Sequence, residues 1–399
     1  MHGLRARLAF PDSSTSGTVQ EVILPTKSTI HLGKWQTTYE VISLARNKRD
    51  VQLGGCCAQS RAAQPFGIRH KLDHFLGEVA RIDLIHYPRL TQGHSAIADL
   101  IKSKAAHQLP ALFQVALSFA ARNCRDPRDK VFSILGLAKG SVFGDFRPDY
   151  AAAVSDCYTD FFTRMIEWSG GDYRILLGSG FGPNLPGMPS WVRNFSHPYC
   201  PELIGQELRR LQVYQLYNAS NGETGHPKVL NRKELSVKAV KAETIAVVGP
   251  VLESLYVISE VVRRVLAEWI LMCKQALSTS SDDEMQKHTR ICRTLCASLC
   301  NDMSLKDLYW RRDTEDDVPS VAALLKLTQG DLSALDDGYV PGVAMSTANR
   351  ALYVTQTGGI GLCSPQSRPG DTVCALIGAK VPFVLRKVKD EYEGQNAHS

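Results

Sequence analysis

The clearest hydrophobic pattern in the chain lies between residues 154 and 166. Apolar side chains recur there at i, i+3, i+4 and i+7: Val154, Cys157, Tyr158, Phe161, Phe162, Met165 and Ile166. This spacing is typical of one buried face of an α-helix. Asp149 is predicted to cap the start of that helix, and Gly170-Gly171 to end it. We interpret the stripe as core, in preference to a cofactor site made of aromatic rings and sulfur.

Weaker helical patterns predict scaffold helices over residues 68–122. Two further helices are predicted at about 251–277 and 283–300, separated by a polar linker from Ser278 to Asp283. Short runs of apolar and β-branched residues predict strands at Tyr173–Leu177, Leu211–Leu216, Leu235–Val240 and Ile245–Val248.

From about residue 342 the pattern changes to strands. The predicted strands are Ala351–Thr355, Ile360–Leu362, Thr372–Ile377 and Val381–Leu385, with glycine-containing turns between them. The fold class predicted from the whole pattern is α+β, with a helical central region, small sheets and a C-terminal β-rich module.

A short helix is predicted at about 127–135. Asp126 can accept hydrogen bonds from unpaired amides at its start, and Pro127 suits a first turn because it has no amide hydrogen. Asp129 complements the positive end of the helix, and Gly136 suits a left-handed C-terminal cap. A structural role therefore accounts for Asp126, Arg128, Asp129 and Lys130. A charged catalytic or ligand-binding cluster is the alternative.

Composition and charge exclude some classes of protein. The chain has 399 residues, 44% of them hydrophobic and 22% charged, and a net charge of +6. The excess positive charge lies in the first 70 residues, without the dense basic stripe of a nucleic-acid-binding surface. No uncharged apolar run reaches the length of a membrane span, and the N-terminus lacks a secretory hydrophobic segment. Eleven cysteines without regular spacing indicate free thiols in a reducing compartment. We therefore predict a cytoplasmic protein with no membrane span and no nucleic-acid partner.

Candidate reactive and metal-binding motifs are weak. His288, Cys292, Cys296 and Cys300 share one predicted helical face, but a straight helix spreads them over about 18 Å, too far for one zinc ion. Cys56-Cys57 has no second pair, and Gly178–Gly182 runs into a proline and not into a phosphate-binding helix. We predict no metal and no cofactor. Residues of a Ser-His-Asp or Cys-His site meet only in space, so that possibility stays open and the catalytic residues are unknown.

Two stretches resemble one family. The segment from Arg122 to Leu137, followed by Pro148-Asp149-Tyr150 and Met188-Pro189-Ser190-Trp191-Val192, resembles the signature of fungal heterokaryon incompatibility (HET) domain proteins. The strand-rich stretch from Arg350 to Arg386, with its Pro369-Gly370-Asp371 turn, is similar to the C-terminal module of many such proteins. The signature residues, to which we assign a structural role, are Cys124, Asp126, Pro127, Arg128, Asp129, Lys130, Gly136, Asp149, Tyr150, Tyr158, Pro189, Ser190 and Trp191.

The resemblance implies a role in fungal non-self recognition and programmed cell death, with other proteins as partners, among them other incompatibility factors. The HET domain is similar to TIR domains in its N-terminal α/β part, which implies NAD cleavage in some members. The strands that open that part are not found before Leu112; Trp35 stands outside the motif. We therefore expect a binding or modulating factor in preference to an enzyme. The alternative is a NAD-consuming enzyme or an accessory protein of fungal specialised metabolism.

The resemblance also suggests four regions. They are a diverged, poorly structured basic head (1–65), the helical second half of a HET-like domain (66–200), a mixed α/β region with two long helices (201–340) and the β-rich module (341–399). The module is expected to stop at about Tyr392, short of the final strand that family members usually have.

Overall fold

The computed structural model describes residues 5–6, 29–32, 35–52, 111–118, 120, 122–135, 146–179, 183–197, 201–253, 259–302, 304–305, 310–331, 338–388 and 391–398. It has the predicted α+β class, with helices in the centre and a β-rich C-terminal region. The chain forms two compact units. One comprises Met1–Cys157 with Pro198–Ile204, and the other comprises Tyr158–His197 with Gly205–Ser399. The four-region division remains a prediction.

The first unit contains a three-stranded sheet and short helices. Strand β1 (Arg5–Ala6) runs parallel to β2 (Thr29–Leu32), which pairs antiparallel with β3 (Trp35–Thr38). Helix α1 (Tyr39–Gln52) follows directly, and α2 (Ala111–Ser118) packs against α3 (Asp129–Leu135). The rest of the predicted scaffold helices, Cys56-Cys57 and Gly136 lie outside the described residues.

The predicted helix after Asp149 is confirmed as α4 (Val154–Trp168), and six of its seven stripe residues are buried. The ring of Phe195 lies 5.6 Å from that of Tyr158 and 5.7 Å from that of Phe162, centroid to centroid. Gly170 and Gly171 have φ values of +69° and +86° just after the helix, as expected of C-terminal caps. The capping role predicted for Asp149 is wrong, because its Oδ1 accepts from the N–H of Ala151 and α4 starts three residues later.

Two predicted strands are helical. Residues Tyr173–Leu176 form a 3₁₀ turn, because the Asp172 carboxylate caps it by accepting from the N–H of Arg174. Leu211–Leu216 contains the end of helix α5 (Pro201–Val213) and a 3₁₀ turn, Tyr214–Leu216. Both runs are short and apolar, and such runs suit a buried helix turn as well as a strand.

A closed six-stranded barrel occupies the C-terminal region, with every pairing antiparallel. Its strands, in order around the barrel, are β10 (Ile360–Cys363), β13 (Glu391–His398), β12 (Phe383–Val388), β11 (Thr372–Leu376), β6 (Ala239–Leu252) and β9 (Arg350–Thr355). The expectation that the module lacks its final strand is wrong, since β13 pairs with both β10 and β12.

The strand predicted at 235–240 begins in β5 (Glu234–Ser236) and ends in β6, and the one predicted at 245–248 is the middle of β6. Strand β6 is 14 residues long and pairs with β11 through its first half and β9 through its second, with register shifts at Ile245/Val247 and Val248/Val251. These irregularities let one strand bend from one partner to the other. A separate hairpin, β4 (Lys228–Asn231) and β5 (Glu234–Ser236), precedes it.

Four helices and a hairpin lie between β6 and β9 in the chain. The helices are α6 (Glu260–Leu277), α7 (Glu284–Cys296), α8 (Val321–Gln329) and α9 (Tyr339–Thr347); the hairpin pairs β7 (Leu299–Asn301) with β8 (Trp310–Arg312). The apolar faces of the four helices share one core with β9 and β10. The hairpin residues Leu299 and Trp310 belong to a separate apolar cluster. The α6 helix starts later than predicted because residues 251–252 belong to β6, and α7 ends at Cys296 because Ala297 adopts a left-handed conformation, φ +51°.

Helix α6 lies close to β6 at Gly249. A Cβ there would lie 2.9 Å from Sδ of Met272 and 3.2 Å from Cδ1 of Trp269, so a larger residue would force the Met272 side chain to shift. The indole Nε1 of Trp269 donates to the carbonyl of Pro250 at 2.9 Å. None of the helices that the structure describes has the length and apolar character needed to cross a lipid bilayer.

Candidate functional site

The charged signature residues form a connected cluster at the start of α3. The Asp126 carboxylate accepts from the backbone N–H of Arg128 at 2.9 Å and from Nε and Nη2 of the same residue. Hydrogen bonding by Arg128 lowers the pKa of Asp126. The first turn is of the 3₁₀ type, since the amides of Asp129 and Lys130 donate three residues back, and the regular helix starts at Asp129 and not at Pro127.

Arg128 connects this turn to the segment before α4. Its Nη1 donates to the carbonyls of Tyr150 and, at 2.7 Å, Ala152. The guanidinium also lies over the ring of Tyr150, 5.4 Å from the centroid. One side chain therefore makes a bidentate ion pair, two carbonyl contacts and a cation–π contact, a combination that only a planar guanidinium can supply.

Asp129 and Tyr150 close the same cluster. The Tyr150 hydroxyl donates to Oδ1 of Asp129 at 2.6 Å, and this hydrogen bond raises the pKa of Tyr150 to about 12. The Tyr150 ring also meets that of Phe132 edge to face, with 5.1 Å between centroids. A phenol with a raised pKa stays protonated at neutral pH, so here it serves as a hydrogen-bond donor and not as a base.

Lys130 links helix α3 to the segment that precedes it through hydrogen bonds. Its Nζ donates to the carbonyls of Ala120, at 2.6 Å, and Arg122. Burial lowers the pKa of this amine. Cys124, between these carbonyls and Asp126 in sequence, is half-buried and forms no disulfide with a described cysteine.

The remaining signature residues belong to the second unit. Trp191 is buried, and its Nε1 donates to the carbonyl of Lys233 at 3.2 Å. The Ser179 hydroxyl donates to the Trp191 carbonyl, and the amide of Val192 donates to the carbonyl of Pro189. Pro189 is buried and Ser190 half-buried. The Tyr158 hydroxyl lies 3.0 Å from Oγ of Ser196.

The structure thus brings Asp126, Arg128, Asp129 and Tyr150 together, and it places Tyr158 and Pro189–Trp191 in the other unit. The polar atoms of the first group bind backbone carbonyls, a backbone amide or one another. This arrangement clamps two stretches of chain, which favours the structural interpretation of the signature.

The histidine and cysteines of α7 form no shared face with Cys300, which lies on β7 instead. His288 Nε2 lies 2.7 Å from the Pro319 carbonyl oxygen and 3.4 Å from Sγ of Cys292. Burial raises the pKa of the Cys292 thiol to about 12, so at neutral pH the sulfur is a protonated core atom. Across the described part of the chain, no three His, Cys, Asp or Glu side chains are grouped as metal ligands.

Sequence reasoning assigned no role to an ion pair within the barrel. Asp371 is 2% exposed and accepts from Nε and Nη2 of Arg386, both at 2.8 Å. It also accepts from the amide of Arg368, which closes the Pro369-Gly370 turn. The Asp371 carbonyl accepts from the amide of Ile245 in β6. The amide of Gly370 donates to the carbonyl of Ile245. The signal in the sequence was the turn motif itself.

Part of the chain, including the strands from β9 to β13, matches a known family model. Residues 267–396 match the Het-6 beta-barrel domain. This is a HET-related family of fungal incompatibility proteins, and the match spans about a third of the chain. It starts within α6 and ends in β13, so β6, the sixth strand of the barrel, precedes the matched residues. No curated protein and no solved structure matches the chain.

Proposed function

We propose that this protein acts in fungal non-self recognition and programmed cell death, as a factor that binds other proteins in the cytoplasm and modulates the death response. The match of residues 267–396 to the Het-6 beta-barrel domain carries the proposal. The signature cluster supports a binding role over a catalytic one, because Arg128 and Lys130 are engaged with backbone carbonyls and Tyr150 with Asp129.

The experiment expresses the full chain in a fungal strain, alone and after fusion with strains that differ in incompatibility type. Hyphal death is scored with a vital dye. Expressed alone, the protein should leave growth near normal; after fusion with at least one incompatible strain, it should change the frequency of death.

A barrel-disrupted variant, Gly378→Ala, provides the control, since a Cβ at Gly378 would lie 2.1 Å from the carbonyl oxygen of Gly225. This variant should have no effect after fusion. Death that requires the intact barrel but no partner strain would replace the modulating role with that of a self-sufficient killer. An unchanged death frequency in every pairing would refute the proposal.

A further inference from the structure

The second unit contains an unusual group of buried charges. Arg193, Arg210 and Arg350 are 2%, 8% and 2% exposed, and Glu207 is 8% exposed. Three guanidinium groups therefore accompany a single carboxylate. Buried charges are costly unless they are paired, so the partner of each cation decides what this group can do.

Arg193 and Glu207 form a pair. Nη1 of Arg193 contacts Oε2 of Glu207. Gly178, at φ +88°, makes room for it, because a Cβ there would lie 2.5 Å from this Nη1 atom. The only carboxylate in the group is thus matched to one arginine.

Arg210 is held by backbone oxygens. Its Nε and Nη2 donate to the carbonyl of Met345 at 2.9 and 2.7 Å, and Nη2 donates to that of Ala348 at 2.5 Å. These carbonyls lie at the C-terminal end of α9, where the helix carries partial negative charge. This partial negative charge offsets part of the positive charge of Arg210.

Arg350 is compensated less, because the carboxylate that attracts it, Glu207, is already paired with Arg193. It lies two residues beyond Ala348, at the start of β9, and its Nη2 has no hydrogen-bond partner among the described residues. Burial and the neighbouring Arg210 both lower the pKa of Arg350. The nearby Cys363 thiol is no counter-ion, because burial raises its pKa to about 11. A guanidinium keeps its proton in proteins, so three positive charges share the single carboxylate of Glu207 and the group keeps a net positive charge.

We propose that Arg350, with Arg210 beside it, binds a small oxyanion: a phosphate group or the carboxylate of a small molecule. A guanidinium fork fits either group through two parallel hydrogen bonds. The bound anion would compensate the unpaired cation at the entrance to β9 and so couple ligand binding to the stability of the Het-6 barrel. This inference rests on the buried arginines and is independent of the proposed role in cell death.

The experiment is equilibrium dialysis of the purified full chain against radiolabelled inorganic phosphate and, separately, radiolabelled acetate, at fixed ionic strength. One of the two probes should bind at close to one per chain, and which one it is separates phosphate from carboxylate. Arg350→Met should weaken that binding by at least about tenfold. Arg232→Met removes an exposed arginine that pairs with Asp160, and it should leave the affinity unchanged.

Arg350→Met removes an unpaired buried charge and is expected to fold. Arg350→Lys is a second variant; it keeps the charge but lacks the fork, and it should weaken binding by several-fold. Absence of stoichiometric binding by either probe would overturn the proposal. Unchanged affinity in both Arg350 variants would do the same, because the anion would then bind elsewhere.

Discussion

The contacts of the signature cluster depend most on one residue, Arg128. It bonds the Asp126 carboxylate and the carbonyls of Tyr150 and Ala152, which lie 22 and 24 residues away in sequence. Local signals in the sequence identified the turn at Asp126, because capping depends on neighbouring residues. The contact with Tyr150 depends on tertiary folding, and no local pattern could predict it.

Replacing Arg128 with lysine should destabilise the protein although the charge is kept. An ammonium cannot hold the bidentate pair and both carbonyls at once, so we expect a lower free energy of unfolding. Urea denaturation measures it. Arg125→Lys, at an exposed neighbouring arginine, is the control and should change stability by less than about 0.5 kcal/mol. Equal effects at the two positions would contradict the role of Arg128 as a clamp.

The buried thiols make stability depend on alkaline pH. Burial raises the pKa of Cys273, Cys292 and Cys296 from 9.0 to about 12. Each thiol is protonated in both folded and unfolded chains below pH 9, so its full contribution is present there. Between about pH 9 and 12 only the unfolded chain ionises, and stability falls.

By pH 10 each of these thiols should reduce the free energy of unfolding by about 1 kcal/mol relative to pH 8. Urea denaturation at the two pH values measures this fall. In Cys273→Ala the decrease in the free energy of unfolding between pH 8 and pH 10 should be smaller by the contribution of one thiol. The same fall with and without Cys273 would show that this thiol does not titrate as its burial requires.

At the scale of elements, helices and strands were predicted from the sequence where their local hydrophobic pattern is strong. Helix α4 and the strands β9 to β12 follow unbroken periodicities or lie between glycine turns, and they were predicted. Strand β6 was divided because the mainly polar run Lys241–Thr244 separates its apolar residues, and it was ended early because Gly249-Pro250 follows Val248. Strand β13 was missed, because its residues show no alternating apolar pattern and it is defined by backbone pairing with β10 and β12. Arg350 looks like any surface arginine in sequence, so only the fold reveals its burial.

Substitutions of two glycines in the barrel turns distinguish the cost of backbone strain from the cost of a steric clash. Gly370 and Gly378 have φ values of +92° and +97°, but only Gly378 lies against another chain segment, the backbone of Gly225. Gly370→Ala should cost about 1 to 2 kcal/mol for the left-handed conformation. Gly378→Ala should cost roughly 2 kcal/mol more, because the added Cβ overlaps backbone that cannot move aside. Thermal unfolding measures both; equal losses would mean that the close approach of Gly225 is not tight.

At the scale of the molecule, the barrel extends beyond the residues that match the Het-6 beta-barrel domain. Without β6, strands β9 and β11 would each have an unpaired edge. A fragment of residues 267–396 should therefore aggregate or unfold without cooperativity. A fragment of residues 158–399, which contains both segments of the second unit, should be monomeric and melt in a single transition. Sedimentation velocity and calorimetry compare the two. Cooperative melting of a monomeric 267–396 fragment would show that β6 is dispensable.

The long separation between β6 and its partners has a consequence during protein synthesis. Leu252 of β6 pairs with Arg350 of β9, about a hundred residues later, so the ribosome makes β6 roughly 5 to 20 s before that partner exists. During this interval the 14-residue strand has its hydrogen-bonding edges open to other nascent chains. Cells that express this protein at high levels should therefore need chaperones at this stage, before the barrel can close.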